Sequence, residues 1–340
     1  MKICSRCLLP ETFPGISFNA DGMCTHCQKH IERQSNIEEE KKRQKQQFIE
    51  LVKEEVFKPR SRSGPAGQRA YDLLMAYSGG RNSTYAMSLL KNKYKLRVLA
   101  VSLDNGFLTP ELVAAIGKVT EALGIDHLFF KPRWDLLKKV FTAAAERELY
   151  AKKTLERASA ICTSCTGLLT SLCLKMAVEQ DIPLVGFGWP PGRAPLETSI
   201  RKNSAAFIRT ASQTILNALR GIVGEEINAY FLQDKHYGAE KLPYTVHPLA
   251  WECYNETTVA KELQKAGWNA PKISDCFSGN CLLSAFANEV HLQRYKFHPS
   301  AWEVACSVRE GAMTREEGHL RIYGQQDEHL VSAARERLAS

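Results

Sequence analysis

The sequence has little that would place it in a membrane or outside a cell. No run approaches the ~18 consecutive apolar residues of a transmembrane helix. Met1-Lys2-Ile3-Cys4 opens without the apolar core of a secretory signal. There is no repeat at solenoid periods, and the Gly-x4-Gly-Lys-Ser/Thr spacing of a Walker A loop is missing. Neither a basic–aromatic stripe nor an appended RNA-binding module stands out. No glutaminase domain is recognisable. The expectation is a cytoplasmic protein with no membrane partner. Excess charge of one sign is modest: 45 Lys and Arg against 37 Asp and Glu give a formal net charge of +8. That tolerates an anionic ligand such as ATP or RNA and demands neither. With 44% hydrophobic and 24% charged residues, a disordered chain and a fibrous repeat are both excluded.

Cysteine, by contrast, is abundant, at eleven residues in 340. In a reducing compartment, paired cysteines point to metal ligands or sulfur chemistry rather than disulfides. The chain length suits one large α/β domain with additions. The expected organisation is a zinc knuckle over 1–35, a charged helix and linker over 36–70, a nucleotide-binding α/β domain over 71–195, and a mainly helical substrate region over 196–340. Strands are expected at 71–77, 96–103, 126–130 and 182–187. Helices are expected at 37–57, 83–92, 110–123, from 134, and over 166–180. Thr109 and Pro110 form an N-cap and first position. The tail from 282 reads as helical, with Thr314-Arg315-Glu316-Glu317 as a capping box. Such alternation implies a doubly wound parallel sheet. Residues 59–68, with two Pro and two Gly among basic and Ser residues, read as a linker.

Cys4-x2-Cys7, sixteen residues, then Cys24-x2-Cys27 is zinc-ligand spacing. Four thiolates close a tetrahedron around Zn²⁺ and leave no position for a substrate, so the site is expected to be structural. His26 and His30 are not needed and are expected near the surface.

Ser78-Gly79-Gly80-Arg81-Asn82-Ser83-Thr84 lies between an apolar strand and a helix. Its glycines let the backbone approach a ligand, and the helix N-terminus offers N–H groups to phosphate. Hydroxyls from Ser78, Ser83 and Thr84 and the charge of Arg81 support the same reading. This segment resembles the PP-loop of ATP pyrophosphatases, the adenine nucleotide α-hydrolase-like proteins, whose usual pattern is Ser-Gly-Gly-Lys-Asp-Ser. Arg81 keeps the charge, while Asn82 removes a carboxylate. The segments Cys4 to Thr12, Gly22-Met23-Cys24 and Gly311 to Glu317 further resemble the N-acetyl sugar amidotransferase branch. The resemblance implies a PP-loop fold and ATP, with Mg²⁺, cleaved between its α and β phosphates. It also implies an adenylated substrate oxygen, replaced by nitrogen or sulfur. It places the end of the next strand, Leu103-Asp104-Asn105, beside the adenosine; Asp104 at a strand C-terminus also suits a ligand crevice.

Cys162-Thr163-Ser164-Cys165 is expected just before a helix. Together with Cys276 or Cys281 it could bind three corners of a [4Fe–4S] cluster. Several tRNA-thiolating PP-loop enzymes have similar spacing. The alternative is a persulfide-carrying pair whose thiolate is favoured by the helix N-terminus. Thr166 stands where the amidotransferase branch tends to place a histidine. Cys173, Cys253 and Cys306 are expected in the core. In the loop Gly186 to Arg193, Trp189 is a candidate to stack on a planar base and Arg193 to hold an anion. Trp251, Tyr254 and Trp302 are expected to pack, with the carboxylates of Glu252 and Glu303 exposed. His247 is not expected to be a catalytic base.

Three functions remain open at this level. The first is an ATP-dependent sulfurtransferase acting on a nucleobase or related small molecule, tRNA included, with a sulfur donor protein. The second is an N-acetyl sugar amidotransferase supplied by a partner glutaminase. The third is an inactive nucleotide-binding zinc protein. Cysteines beyond the quartet favour the first.

Overall fold

Short apolar runs alternating with amphipathic helices produce the expected doubly wound α/β core. The computed structural model describes residues 1–57, 69–269 and 281–340. The expected linker over 59–68 lies outside the described residues, as does Cys276.

The cysteine-rich N-terminal segment runs directly into α1 (Thr25–Val52), which continues as a wide π-helical turn over Lys53–Phe57. The charged helix therefore starts earlier than expected, with the last pair of cysteines at its head. The core follows: β1 (Leu73–Ala76), α2 (Arg81–Ser88), β2 (Val98–Leu103), α3 (Pro110–Leu123), β3 (Asp126–Phe130), α4 (Trp134–Glu146), the single turn α5 (Lys152–Leu155), α6 (Ala160–Glu179) and β4 (Leu184–Phe187). Two more strands come from beyond residue 195, β5 (Ile200–Arg201) and β6 (Tyr244–Val246). Around them lie α7 (Ala205–Val223), the single turn α8 (Asp234–Tyr237) and α9 (Glu256–Lys265). A helical layer of α10 (Leu283–Tyr295), α11 (Ala301–Arg309), α12 (Arg315–Tyr323) and α13 (Glu328–Ala339) completes the described chain.

The strand order is β3-β2-β1-β4-β6-β5, parallel except for β5 against β6. The expected boundary at 195 thus falls inside the sheet. The two late strands are too short, at two and three residues, to announce themselves by alternation. The order reverses at β1, so the crevice for a ligand opens beyond the C-terminal ends of β1, β2 and β4.

Alternation along β1 assigns the two faces. Leu73 and Met75 join a core with residues of α1, α2, α3 and α9. Leu74 and Ala76 face the opposite way, toward Cys173, Leu174 and Ala177 of α6 and Ile208 of α7. At 20 residues, α6 is long and apolar enough to cross a membrane by length and composition, alone among the described residues. Thr, Ser and Cys interrupt its apolar run in the sequence. Its contacts make it the central core helix, with Leu168 and Ile161 packing into a helical lobe built from α4, α7, α10 and α13. Thr109 caps α3 by accepting from Leu112 N, with Pro110 at the first position. Thr314 and Glu317 form the anticipated reciprocal box on α12.

Candidate functional site

The Ser-Gly-Gly segment turns between β1 and α2 with Gly79 at φ +74°, a conformation that favours glycine. A Cβ at Gly79 would lie 2.6 Å from Ile116 Cγ1 and 2.8 Å from Leu112 Cδ1, both on α3. Gly79 O accepts from Trp268 Nε1 at 2.9 Å. The loop is braced from within: Ser78 Oγ and Ser83 Oγ share a hydrogen bond at 3.1 Å, and Ser83 Oγ donates to Gly80 O at 3.0 Å. The first N–H groups of α2 have no partner inside the helix by position, and no acidic residue lies in its first turn. A helix head of this kind suits an anion. The Thr84 hydroxyl turns inward: it is fully buried and hydrogen-bonded to Tyr77 Oη at 3.1 Å. Asn82 Oδ1 accepts from Tyr254 Oη. Gly79→Val should lower ATP affinity at least about tenfold, read by equilibrium binding, because the branched side chain forces the loop away from its anion-receiving shape.

Gly188, just past β4, was not singled out individually by the sequence, which shows only a glycine-rich loop there. Its Cβ would lie 2.4 Å from Ser83 Cα and 2.7 Å from Ser83 N. The neighbour is backbone and cannot rotate away. Gly188→Ala should therefore push the head of α2 off β4 and destabilise the protein by about 1–3 kcal/mol, the usual scale of overpacking. A thermal or urea melt checks this.

At the end of β2, Asp104 Oδ1 accepts from Gly106 N at 2.9 Å, and Asp104 Oδ2 lies 3.4 Å from Lys131 Nζ. Next to it, Asn105 is buried and donates from Nδ2 to Cys281 Sγ at 3.2 Å and to Cys165 Sγ at 3.7 Å. Cys162 and Cys165 lie within α6, not before it. Ser159 is the N-cap, accepting from Cys162 N at 3.1 Å. The three-residue spacing then puts both sulfurs on one helix face. The Cys162 thiol is electrostatically coupled to Cys281, Arg193 and Glu303. Three cysteines separated by up to 119 positions are thus assembled at the ligand edge of the sheet.

Burial dominates this group. It pushes the Cys162 thiol up to about 11, with Cys281 adding to the effect. It also raises Cys165 and Cys281. The expected lowering at a helix N-terminus is therefore overridden by desolvation. In metal-free protein, Cys162 should be alkylated at pH 8 at least about tenfold more slowly than exposed Cys253, because only roughly one thiol in a thousand is ionised three units below its pKa. Peptide mass spectrometry of a time course reads the two rates. Three half-buried thiols ionise together when a cation shares them, which fits a metal-centred group. A cubane holds its thiolates on separate irons and so needs them farther apart than a single ion does. In the fold the trio sits looser than the N-terminal quartet, which is the close four-cysteine group found among the described residues.

Beyond β4, His247 stacks on Trp189 with centroids 4.3 Å apart, and the Arg193 guanidinium lies 5.0 Å from the Trp189 ring centre. Arg193 pairs with Glu303. Protein groups thus occupy the tryptophan ring expected to stack on a substrate base. His247 is deeply buried, and burial holds its pKa down to about 3, so it stays neutral. Glu252 is buried rather than exposed: it accepts from Tyr94 Oη and binds Lys93 Nζ at 2.5 Å. Cys173 and Cys306 are buried as expected, but Cys253 is exposed and accepts from Asn255 Nδ2 at 3.1 Å.

The quartet Cys4, Cys7, Cys24 and Cys27 is fully buried, with all sulfurs within 4.8 Å of one another. Cys4 to Cys27 measures 3.8 Å and Cys7 to Cys24 3.5 Å. Four thiolates bound tetrahedrally at the Zn–S bond length stand roughly 3.8 Å apart, so these residues fit one zinc ion. Cys4 Sγ also accepts from the backbone N–H groups of Arg6, Cys7 and Cys24 at 3.3–3.4 Å, which stabilises a thiolate. The knuckle is not a separate unit. Leu8, Leu9 and Phe13 pack with Phe297, Ala301, Val304 and Ile322. Tyr323 Oη donates to Leu8 O at 2.7 Å, and Arg315 Nη1 donates to Cys4 O at 3.0 Å.

No family model matches the chain. It is 22% identical over 314 residues to the uncharacterized protein MJ1599 of Methanocaldococcus jannaschii, covering 92% of this chain and 90% of that one. Among solved structures, it is similar to the U34-tRNA thiolase NcsA from Methanococcus maripaludis with its [4Fe-4S] cluster. That match has a TM-score of 0.33 and 16% identity, over 98% of this chain and 96% of the other. A likeness this loose assigns no residue and no reaction.

Sequence reasoning reached Asn105 only as part of the strand end Leu103-Asp104-Asn105, and Gly188 only as part of a glycine-rich loop, without the contacts that each makes. A lone Asn after a strand carries no signal of its own, since its meaning comes from sulfurs 60 and 176 positions away.

Proposed function

We propose that the protein is a PP-loop-type, ATP-dependent sulfurtransferase. The observation that carries this reading is the convergence of Cys162, Cys165 and Cys281 at the sheet edge that also bears the Ser-Gly-Gly loop. ATP, with Mg²⁺, would lay its phosphates on Ser78, Gly79, Gly80 and the head of α2, with Arg81 offsetting their charge and Asp104 at the edge of the nucleotide pocket. A carbonyl oxygen of the acceptor, a nucleobase or related heterocycle, attacks the α-phosphorus and pyrophosphate departs. The carbon then carries AMP as a leaving group. A sulfur nucleophile adds to that carbon, AMP leaves with the former carbonyl oxygen, and a thiocarbonyl remains.

In this reading Cys162, Cys165 and Cys281 hold the sulfur-handling group. A [4Fe–4S] cluster on these three residues would, when bound, supply one iron with an open position for sulfide. Cys281 is the third cysteine in this reading, because it is the one that Asn105 brings to the pair. Ammonia transfer gives three converging thiols no task, which favours sulfur over the amidotransferase alternative. The N-terminal quartet would hold a structural zinc ion.

Two measurements test the reading. Anaerobically purified protein should carry iron and acid-labile sulfide in addition to one zinc. ATP turnover in the presence of acceptor should yield AMP and pyrophosphate; ADP and phosphate would overturn the assignment of the loop.

A further inference from the structure

We propose that Asn105 is a positioning residue for the sulfur-handling cysteines: its amide nitrogen gathers Cys165 and Cys281 and draws electron density from their sulfurs. The inference rests on the reading of the cysteine trio proposed above. Asn105 is only 6% exposed. Its Oδ1 accepts from Phe107 N at 3.0 Å, which settles the orientation of the amide. Turned around, its N–H₂ group would face the backbone donor. The nitrogen is therefore committed to the other side, where it reaches Cys281 Sγ at 3.2 Å and Cys165 Sγ at 3.7 Å.

The turn itself does not require an amide. An Asx turn uses only the side-chain oxygen, and Asp104 makes the same kind of turn one residue earlier by accepting from Gly106 N at 2.9 Å. What asparagine adds at 105 is a donor. A buried carboxylate there would instead set an anion against two sulfurs. The donor also ties three pieces of chain together: the end of β2, the face of α6 and the residue leading into α10. Hydrogen bonds to thiolate sulfur lower its charge, and for thiolates bound to an iron–sulfur cluster this raises the reduction potential.

Asn105→Asp keeps the turn acceptor and the size of the side chain but removes the donor, and Asn105→Ala removes both. Asn105→Ser, whose hydroxyl can still accept from Phe107 N, replaces the aspartate variant should that one fail to fold by circular dichroism. Two readouts apply. In iron-free protein, dibromobimane should cross-link Cys165 to Cys281 in the wild type, with the yield falling severalfold in the variants. After anaerobic reconstitution with ferrous iron and sulfide, the variants should show a more negative midpoint potential than the wild type. Unchanged cross-linking and unchanged potential in well-folded variants would leave Asn105 as a turn former and overturn the proposal. Wild-type protein that takes up no iron, yet needs Asn105 for cross-linking, would sink the cluster reading and sustain the positioning role. If iron is absent and the cross-link is indifferent to Asn105, both fail.

Discussion

Replacing Cys165 by serine should leave ATP binding and acceptor-dependent pyrophosphate release largely intact, while thiolated product falls by about 100-fold or more, the scale of losing a covalent or metal-based catalytic group. The separation is expected because the Ser-Gly-Gly loop is braced by its own hydroxyls, Ser78 to Ser83 and Ser83 to Gly80. Cys281→Ser should have the same effect, since Asn105 brings that sulfur to the group. Pyrophosphate release and product are measured side by side, by a coupled phosphate assay and by mass spectrometry. A Cys162/Cys165 double variant that turns over at the native rate would leave these residues as packing and favour the amidotransferase reading.

Changing Cys24 to serine, or stripping the metal with a chelator, should lower zinc content and destabilise much more than the first 30 residues. Metal binding and folding are coupled at such a site, and apparent binding energies of about 10–16 kcal/mol stand behind a tetrathiolate knuckle. Here Leu8, Leu9 and Phe13 pack on α11 and α12, so loosening the knuckle exposes that surface as well. The expected result is a loss of several kcal/mol, with earlier proteolysis near both 4–27 and 297–323. Full zinc occupancy after two cysteine substitutions in the quartet would contradict the assignment of these ligands.

What the sequence made legible was local. Pro110 after Thr109, the Thr314–Glu317 box, the quartet spacing and the glycine pair between a strand and a helix each state their geometry within a few residues. The α6 helix illustrates the limit. Its cysteines read as preceding a helix at 166, because Thr163 and Ser164 look like loop residues. Yet Ser159 caps the helix, and Tyr150 shares a 2.7 Å hydrogen bond with the buried Ser164 hydroxyl. Likewise β5 and β6 exist because β4 offers an edge to pair with, and neither has a pattern of its own. The site was half visible for the same reason. Motifs pointed to Ser78 through Thr84 and to Cys162 and Cys165, but the approach of Asn105 to Cys281 and of Gly188 to Ser83 depends on contacts across the fold. Thr84 shows the converse, a motif residue turned inward to Tyr77.

The clasp between the N-terminal knuckle and α11 and α12 also orders events in time. Thr12 Oγ1 donates to Lys296 O and Tyr323 Oη to Leu8 O, across 284 and 315 positions of chain. During synthesis the first cysteines are made long before the surface that shelters them, so the thiols wait, unshielded, while about 300 residues are translated at roughly 5–20 per second. Contacts of such separation form late and slowly. Ion capture by the quartet can begin early, but a locked knuckle reports that residues 297–323 have been made and have packed.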